Sequence, residues 1–395
     1  MDTVQDSFEN GFRDRGIQEH LVQKLAKDGK HSPTLVQTQI IPLILAGNQV
    51  IFQSETGTGK TLAYLLPLLQ QLDPADTRIQ VIIAAPTHEL ASQIKREAQK
   101  ISDCGVVLCI GSTPIRRQID LIKEKPALAA GNPARLSELI NLYKLKPDGI
   151  RALVLDEADR LFAPEQARDT AALIAQMPAG VQLIACSATI REKTRRAIER
   201  SLAENPGRAG LPSENSRKIE VLLLPPEDVL RCNIEHQAIF SEGRDKIDTL
   251  RKYLAAVTPQ KALVFIAKAA QTGNIVSRLW AKQIDCAGIH AGMDKLERKQ
   301  AIDRFRSGKT RLLVTSDLSA RGLDIPGITH IIQLDFPSDD DFFIHRAGRT
   351  ARAGASGINV VIGDEWELRC YAGLEKKLGI TVYPKVLYGG RLETA

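Results

Sequence analysis

The stretch Ser54-Glu55-Thr56-Gly57-Thr58-Gly59-Lys60-Thr61 follows directly on the apolar run Val50-Ile51-Phe52. This order predicts a short buried strand, a Gly-rich turn and a helix that begins near Lys60. The glycines let successive N–H groups point inward, and the amino end of the helix adds partial positive charge, so the turn can cradle a triphosphate. The strict phosphate-loop pattern has Gly at position 54, and a Gly/Thr-rich surface turn is the alternative interpretation. The sequence favours a nucleotide-binding loop made of Thr56, Gly57, Thr58, Gly59, Lys60 and Thr61.

Within this loop the polar side chains have separate expected roles. The Lys60 ammonium is expected to reach the β- and γ-phosphates, where it also assists catalysis. The Thr61 hydroxyl is expected to ligate Mg²⁺. The loop therefore predicts a site for a nucleoside triphosphate and its magnesium ion.

The composition indicates a globular protein of two or three domains, with 395 residues, 43% of them hydrophobic and 25% charged. No apolar run approaches the roughly 18–20 residues of a membrane span, so no membrane partner is expected. The acidic, polar start is not a secretory signal. Six scattered cysteines without a Cys-x-x-Cys pair indicate reduced thiols, which favours a cytoplasmic location. The net charge of +6 weakly favours a polyanionic partner.

Apolar strand-like runs alternate with helical stretches, as in a parallel sheet covered on both faces. The first series of runs is Val50–Gln53, Val81–Ala85, Val106–Ile110, Ala152–Leu155 and Leu183–Cys186. The second series is Leu263–Ile266, Cys286–His290, Leu312–Thr315, Ile331–Leu334 and Ile358–Ile362. A helix at Tyr371–Leu378 and an edge strand or loose extension at Ile380–Leu387 are expected in the tail. The predicted fold class is α/β, with tandem open parallel-sheet domains at 1–224 and 233–395 joined by a short linker, 225–232, that is rich in Pro and charge.

A second group of polar residues follows the apolar run Leu153-Val154-Leu155. Asp156 and Glu157 come at the carboxyl end of a buried strand, where open parallel sheets bind ligands. Asp156 is placed to hold Mg²⁺ together with Thr61, and Glu157 to orient or deprotonate an attacking water. An exposed acidic turn is the alternative, which the phosphate loop upstream makes less favourable.

With Asp156-Glu157-Ala158-Asp159 the chain resembles the DEAD-box ATP-dependent RNA helicases, and its length is similar to that of their smallest bacterial members. The resemblance implies two RecA-like domains and extends over nearly the whole chain. It implies that Gln37 bonds the adenine edge, that Phe12 stacks on the base and that Asp324 faces the ribose. The residues that it implies for coupling hydrolysis to domain closure are Ser187, Thr189, Asp159 and His345. Arg349 and Arg352 are one helical turn apart, and their guanidinium groups suit a γ-phosphate.

The same resemblance implies an RNA-contacting surface made of Thr87, His88, Gly111, Arg135, Arg298, Thr315, Arg321 and Gly322. Departures from the family pattern fall mainly on this surface, at His88, Ser112, Asn132, Ala134 and Lys295. His88 stands where the family has arginine, and a histidine is mostly uncharged at neutral pH. RNA binding is therefore expected to be kept with altered strength.

The implied function is an RNA-stimulated ATP hydrolase that uses Mg²⁺, an RNA helicase. Closure of the two domains on ATP would bind single-stranded RNA through phosphates and 2′-hydroxyls and separate short duplexes. One alternative is an ATP-gated RNA clamp or RNP-remodelling scaffold with weak unwinding. Another is a DNA helicase or translocase of the wider two-domain superfamily. A monomer is expected.

Overall fold

The structure is a computed structural model that describes residues 11–54, 57–205, 219–223, 230, 233–290, 292–317, 325–337, 339–351 and 355–395. The chain divides into two compact units, Met1–Pro225 and Pro226–Ala395. The linker predicted at 225–232 lies outside the described residues, apart from Leu230.

The first unit is built on a seven-stranded sheet with the strand order β3-β4-β2-β5-β6-β1-β7, and its strand pairs are parallel. The strands are β1 Gln49–Gln53, β2 Val81–Ala84, β3 Val106–Cys109, β4 Leu128–Gly131, β5 Ala152–Asp156, β6 Gln182–Ser187 and β7 Ile219–Leu223. The helices are α1 Glu19–Lys27, α2 Leu35–Leu45, α3 Lys60–Gln70, α4 His88–Ile101, α5 Ile115–Lys123, α6 Pro133–Asn141, α7 Ala158–Leu161, α8 Ala167–Ala175 and α9 Glu192–Ala203.

Apolar side chains cover both faces of this sheet, because helices pack on both sides of a parallel sheet and bury both faces. Successive residues of one strand enter different cores. Ile83 and Val154 lie in the core under α1 to α4, whereas Ile82 and Leu153 lie in the core on the other face. This double burial explains why the strands read as continuous apolar runs.

All five strand-like runs predicted for the first unit lie on strands of this sheet, but two strands were missed. Strand β4 is Leu-Ala-Ala-Gly, which lacks the β-branched and aromatic residues typical of strands. Its Gly131 is required by close packing, since a Cβ there would lie 1.9 Å from the Cys109 carbonyl oxygen. Strand β7 lies between two stretches rich in Pro, Gly and charge, and pairing with β1 makes it a strand.

The second unit contains an eight-stranded sheet with the order β10-β11-β9-β12-β13-β8-β14-β15. Its pairs are parallel except for the terminal hairpin. The strands are β8 Ile234–Phe240, β9 Ala262–Ile266, β10 Ala287–Ile289, β11 Leu312–Ser316, β12 His330–Gln333, β13 Gly357–Gly363, β14 Val382–Tyr388 and β15 Arg391–Thr394. The helices are α10 Lys246–Val257, α11 Thr272–Trp280, α12 Lys295–Arg306, α13 Asp340–Ala347 and α14 Glu365–Leu378.

The five strands predicted for the second unit are present, and β8 is an additional one. It was missed because His236 and Gln237 interrupt its apolar pattern. The tail differs from the prediction as well. Helix α14 begins at Glu365 rather than Tyr371, and the edge strand β14 turns at Gly389-Gly390 into β15. Both glycines have positive φ, 56° and 78°, as a two-residue hairpin turn requires.

Within the described ranges, no helix is both long enough and apolar enough to cross a membrane.

Candidate functional site

Three loops of the first unit meet at one edge of its sheet, because β5, β6 and β1 are neighbours and run parallel. These loops follow β1 at Ser54, β5 at Asp156 and β6 at Ser187. The sheet therefore brings the phosphate loop, the acidic motif and the Ser187–Thr189 segment to the same place.

The phosphate loop has the expected backbone. Helix α3 begins at Lys60, and Gly57 and Gly59 have φ of 88° and 90°. The Lys60 ammonium donates a hydrogen bond to the Ser54 carbonyl, 2.5 Å away. Burial lowers the pKa of Lys60, and the nearby carboxylates oppose that shift. The hydroxyl groups of Ser54 and Thr58 are hydrogen-bonded at 2.6 Å. Ser54, which stands where the strict pattern has Gly, therefore stabilises the loop. Thr56 lies outside the described residues.

The segment predicted to read adenine is fastened to the phosphate loop. Gln37 is only 3% exposed, and its amide accepts from the Thr34 N–H at 3.0 Å and donates to the Gly59 carbonyl at 3.1 Å. Thr34 and Gln37 form a capping box at the start of α2. Phe12 is 1% exposed and packs in the core, so a base could stack on it only if that packing opened. The adenine roles of Gln37 and Phe12 stay predictions.

Asp156 is a buried carboxylate held by neutral donors. It accepts hydrogen bonds from the Tyr64 hydroxyl at 2.8 Å, the Cys186 thiol at 3.3 Å and the Glu157 N–H at 2.9 Å. Burial raises the pKa of Asp156, whereas these hydrogen bonds lower it. Tyr64 also bonds Thr61, so it joins the two predicted magnesium ligands. Tyr64 was not predicted from the sequence, although it follows Thr61 by one helical turn.

The carboxylate and hydroxyl oxygens of Asp156 and Thr61 form a donor set that suits Mg²⁺, which usually takes one or two protein oxygens together with phosphates and water. A buried carboxylate needs a nearby cation, and Lys60 already stabilises the charge of Asp156. In the described part of the chain, no cluster of three or more His, Cys, Asp or Glu side chains could hold a metal by itself. The residues therefore fit a magnesium ion that arrives with a nucleotide.

Glu157 adopts a left-handed backbone conformation, with φ 55° and ψ 53°. This conformation is uncommon for a residue with a side chain and turns the chain from β5 into α7. Asp159, two residues later, accepts hydrogen bonds from the Ser187 and Thr189 hydroxyls, the latter at 3.5 Å. The structure thus brings together three of the four residues implied for coupling.

The residues implied for RNA contact in the first unit follow β2, β3 and β4, which are neighbours in the sheet. Thr87 caps α4 by accepting from the Leu90 N–H at 3.2 Å, and His88 is exposed at the start of that helix. Arg135 is held in place, since it donates to the Thr113 carbonyl at 3.0 Å and the Gly111 carbonyl at 3.4 Å and pairs with Glu138 at 2.8 Å. Gly111 has open space around it, where a Cβ would meet nothing within 4 Å.

In the second unit, Thr315 is buried on β11 and Arg298 is half-buried on α12. His345 lies on α13, and Arg349 is mostly buried in the turn after that helix. Asp324, Arg321, Gly322 and Arg352 lie outside the described residues.

Arg346, a residue of α13 that is 2% exposed, was not predicted from the sequence. Its guanidinium pairs with both Asp317 carboxylate oxygens at 2.6 Å and lies over the Phe265 ring at 5.2 Å. Asp317 comes two residues after the predicted strand Leu312–Thr315, and Arg346 directly follows His345, so these positions were the available signal.

A strand, phosphate loop and helix beside a buried magnesium-type carboxylate define a nucleoside-triphosphate-binding protein. Two models of protein families match the chain. Residues 34–197 match the DEAD/DEAH box helicase domain, and residues 245–354 match the helicase conserved C-terminal domain. The chain belongs to the DEAD/DEAH box helicase family.

Similar curated proteins include the DEAD-box ATP-dependent RNA helicase CshB of Bacillus subtilis, 35% identical over 90% of this chain and 80% of the relative. CshC of Bacillus cereus is 34% identical over 95% of this chain and 93% of the relative. Among solved structures, Dbp5 of S. cerevisiae bound to RNA and ADP BeF3 superposes with a TM-score of 0.81 at 23% identity and covers 95% of this chain and 96% of its own. At that identity the likeness bears on the fold, two tandem RecA-like domains.

Proposed function

We propose that this chain is an ATP-dependent RNA helicase, an enzyme whose ATP hydrolysis is stimulated by RNA. The observation that carries the proposal is the assembly of Lys60, Asp156 and Asp159 at one sheet edge, in a chain at least 34% identical to two bacterial ATP-dependent RNA helicases. The substrate is ATP with Mg²⁺. The clamp alternative is not favoured, because those relatives are named helicases.

Each residue of the first unit has a proposed task at the triphosphate. The inward-held Lys60 and the N–H groups of the Gly57–Lys60 turn bind phosphate oxygens. Thr61 and Asp156 would hold the magnesium ion, which neutralises charge on the β- and γ-phosphates when bound. Glu157 orients the attacking water and accepts its proton. Gln37 pairs with the donor and acceptor of the adenine edge.

The second unit is proposed to supply charge stabilisation. Arg349 and Arg352 act on the γ-phosphate as negative charge develops there. Ser187, Thr189, Asp159 and His345 link the state of the phosphates to the binding of RNA, and Asp324 contacts the ribose. The two units would close when ATP and RNA are both bound, and product release would reopen them.

The direct test is an ATPase assay with and without single-stranded RNA, paired with strand displacement of a short RNA duplex. We expect RNA to stimulate hydrolysis and ATP to be required for displacement, with DNA a poor substitute. RNA-stimulated hydrolysis without displacement would replace the helicase by a clamp. Equal stimulation by DNA would indicate a translocase of the wider superfamily.

The RNA surface is proposed to run over the loops after β2, β3 and β4, with Thr87, His88, Gly111 and Arg135, and to include Arg298, Thr315, Arg321 and Gly322. His88→Arg adds a permanent charge at the exposed start of α4. We expect single-stranded RNA to bind several-fold more tightly, with a salt slope steeper by about 0.7. His88→Gln is the matched uncharged control. Unchanged affinity and slope in His88→Arg would remove His88 from this surface.

We also propose that the chain acts as a monomer in the cytoplasm. The five described cysteines are free thiols, which suits a reducing compartment. Light scattering of the purified chain should give the mass of one copy, and a dimer mass would contradict this.

A further inference from the structure

A row of polar side chains crosses the otherwise apolar face of the second sheet. His236, Asn359 and Gln333 lie on the adjacent strands β8, β13 and β12, and all three are at most 1% exposed. Their neighbours on this face include Ile234, Val361 and Ile331. Burying three polar side chains costs free energy unless each finds hydrogen-bond partners.

The hydrogen bonds of the row have a direction. His236 Nε2 faces the Leu230 carbonyl at 2.8 Å and must donate, so His236 Nδ1 is an acceptor. Asn359 Nδ2 donates to that Nδ1 at 3.2 Å. Gln333 Nε2 donates to Asn359 Oδ1 at 2.8 Å, which leaves Gln333 Oε1 free to accept. A single orientation of each amide satisfies the whole row.

The row ends on Arg346. Its Nη1 donates to Gln333 Oε1 at 3.1 Å and to the Asp335 carbonyl at 2.6 Å, while Nε and Nη2 bind Asp317. The Arg346 carbonyl in turn accepts from the Arg349 N–H at 3.1 Å. A backbone hydrogen bond therefore joins Arg346 to the turn that carries Arg349. A buried polar network of this kind selects one arrangement, whatever its net effect on stability.

We propose that His236, Asn359 and Gln333 are positioning residues for Arg349, acting through Arg346. They hold the Arg346 guanidinium in its pairing with Asp317. The turn after α13 is then held in place, because the Arg349 N–H is bonded to the Arg346 carbonyl. The inference rests on the proposed function, since Arg349 matters for turnover only if the chain hydrolyses ATP. It also ties Leu230, within the predicted linker, to the turn that carries Arg349.

Two variants of Gln333 separate positioning from stability. Gln333→Met removes the acceptor for Arg346 and the donor for Asn359, and a similar volume is kept. Gln333→Glu keeps the acceptor for Arg346 but cannot donate to Asn359. We expect kcat of RNA-stimulated hydrolysis, per folded molecule, to fall about tenfold in Gln333→Met and less than threefold in Gln333→Glu, with KM for ATP nearly unchanged in both. His236→Phe, at the far end of the row, should lower kcat by about threefold.

Thr249→Val is the matched control, because it breaks a hydrogen bond of 2.8 Å to Ser241 in the same unit but outside the row. It should reduce stability without reducing kcat per folded molecule. Equal kcat in Gln333→Met and wild type, or equal losses in Gln333→Met and Gln333→Glu, would overturn the inference while the helicase assignment stands.

Hydrogen exchange gives a readout that does not depend on catalysis. The amides of residues 344–351 should exchange faster in Gln333→Met than in Gln333→Glu, even where both variants have the same melting temperature. If wild type lacks RNA-stimulated hydrolysis, the proposed function fails, and this exchange pattern still decides whether the row holds the turn. The same exchange rates in both variants would refute the positioning role.

Discussion

The two units place their important side chains by different means. In the first unit the backbone does most of the placing, through Gly57 and Gly59, the left-handed Glu157 and three loops that follow neighbouring strands. In the second unit a guanidinium is held by side chains that reach across the sheet, from Asp317 and Gln333 to Arg346. Strand order and turn conformation do most to bring the first site together, whereas the second arrangement needs specific side chains at separate positions of the sequence.

Each unit should therefore be sensitive to a different kind of substitution. A site made by backbone geometry depends on few residue types at its turns and tolerates change around them. A site made by a buried hydrogen-bond network loses its arrangement when one member changes, even when the fold survives.

The largest effect should come from Glu157. Glu157→Gln removes the proposed proton acceptor but keeps size and hydrogen bonding, so we expect kcat to fall by at least about 100-fold while ATP binding is retained. Glu165→Gln, in an exposed position of the same unit, is the control and should hydrolyse ATP at the wild-type rate. A Glu157→Gln variant with near-normal turnover would mean that the first unit does not supply the base.

The next effect concerns the loop backbone. A Cβ on Gly59 would lie 2.3 Å from Gln37 Nε2, and the residue has φ 90°. We expect Gly59→Ala to raise KM for ATP by about tenfold or more and to lower stability by about 1–2 kcal/mol. Gly29→Ala is matched in backbone, with φ 74°, but its Cβ would meet nothing within 4 Å. Gly29→Ala should lose stability but keep the wild-type KM for ATP, and a wild-type KM in Gly59→Ala would show that the phosphate loop tolerates the added Cβ.

The third effect belongs to the side-chain network. Burial lowers the pKa of His236 below its ordinary value of 6.5, while the hydrogen bond to the Leu230 carbonyl and the charge of Glu375 act in the opposite direction. The unfolded chain therefore binds this proton at higher pH than the folded chain. The free energy of unfolding should have its full value above pH 6.5. Below pH 6.5 it should fall by up to about 1.4 kcal/mol per pH unit for one proton, until the pKa of His236 in the folded protein is reached.

Denaturant titrations between pH 5 and 8 measure this slope, and His236→Phe should flatten it. Burial lowers the pKa of His330 as well, so His330→Gln is the comparison that isolates the share of His236. An unchanged slope in His236→Phe would assign the acid sensitivity to other groups.

The smallest effect is expected at Ala351, which is buried and has φ 54° two residues after Arg349. Ala351→Gly should relieve left-handed strain and stabilise the protein by about 0.5–1 kcal/mol, with kcat changed less than twofold. Ala347→Gly, in the right-handed helix α13, should instead destabilise by about 1 kcal/mol or more. A large change in kcat for Ala351→Gly would show that backbone strain positions Arg349, contrary to the contrast drawn above.

Sequence predicted the first unit better than the second for the same reason. The phosphate loop, Asp156 and the start of α3 are contiguous patterns whose backbone consequences are local. The role of Tyr64 depends on a contact with Asp156 that spans 92 positions. The row of His236, Asn359 and Gln333 depends on strand order and register, and each residue looks unremarkable in its own segment. Strand β4 was missed for a related reason. Its small residues do not favour a strand by themselves, and its pairing with β2 and β3 decides its conformation.

The hairpin β14–β15 also has a bearing on how the protein behaves at high concentration. Strand β14 carries exposed Tyr383, Val386 and Tyr388. If β14 were the edge strand, the unpaired backbone N–H and C=O groups along its seven residues could pair with a strand of another molecule. The turn at Gly389-Gly390 covers that margin with four residues, among them Arg391 and Glu393. Removing residues 389–395 should therefore lower the concentration at which the protein precipitates, while the ATPase of the remaining dissolved molecules stays intact.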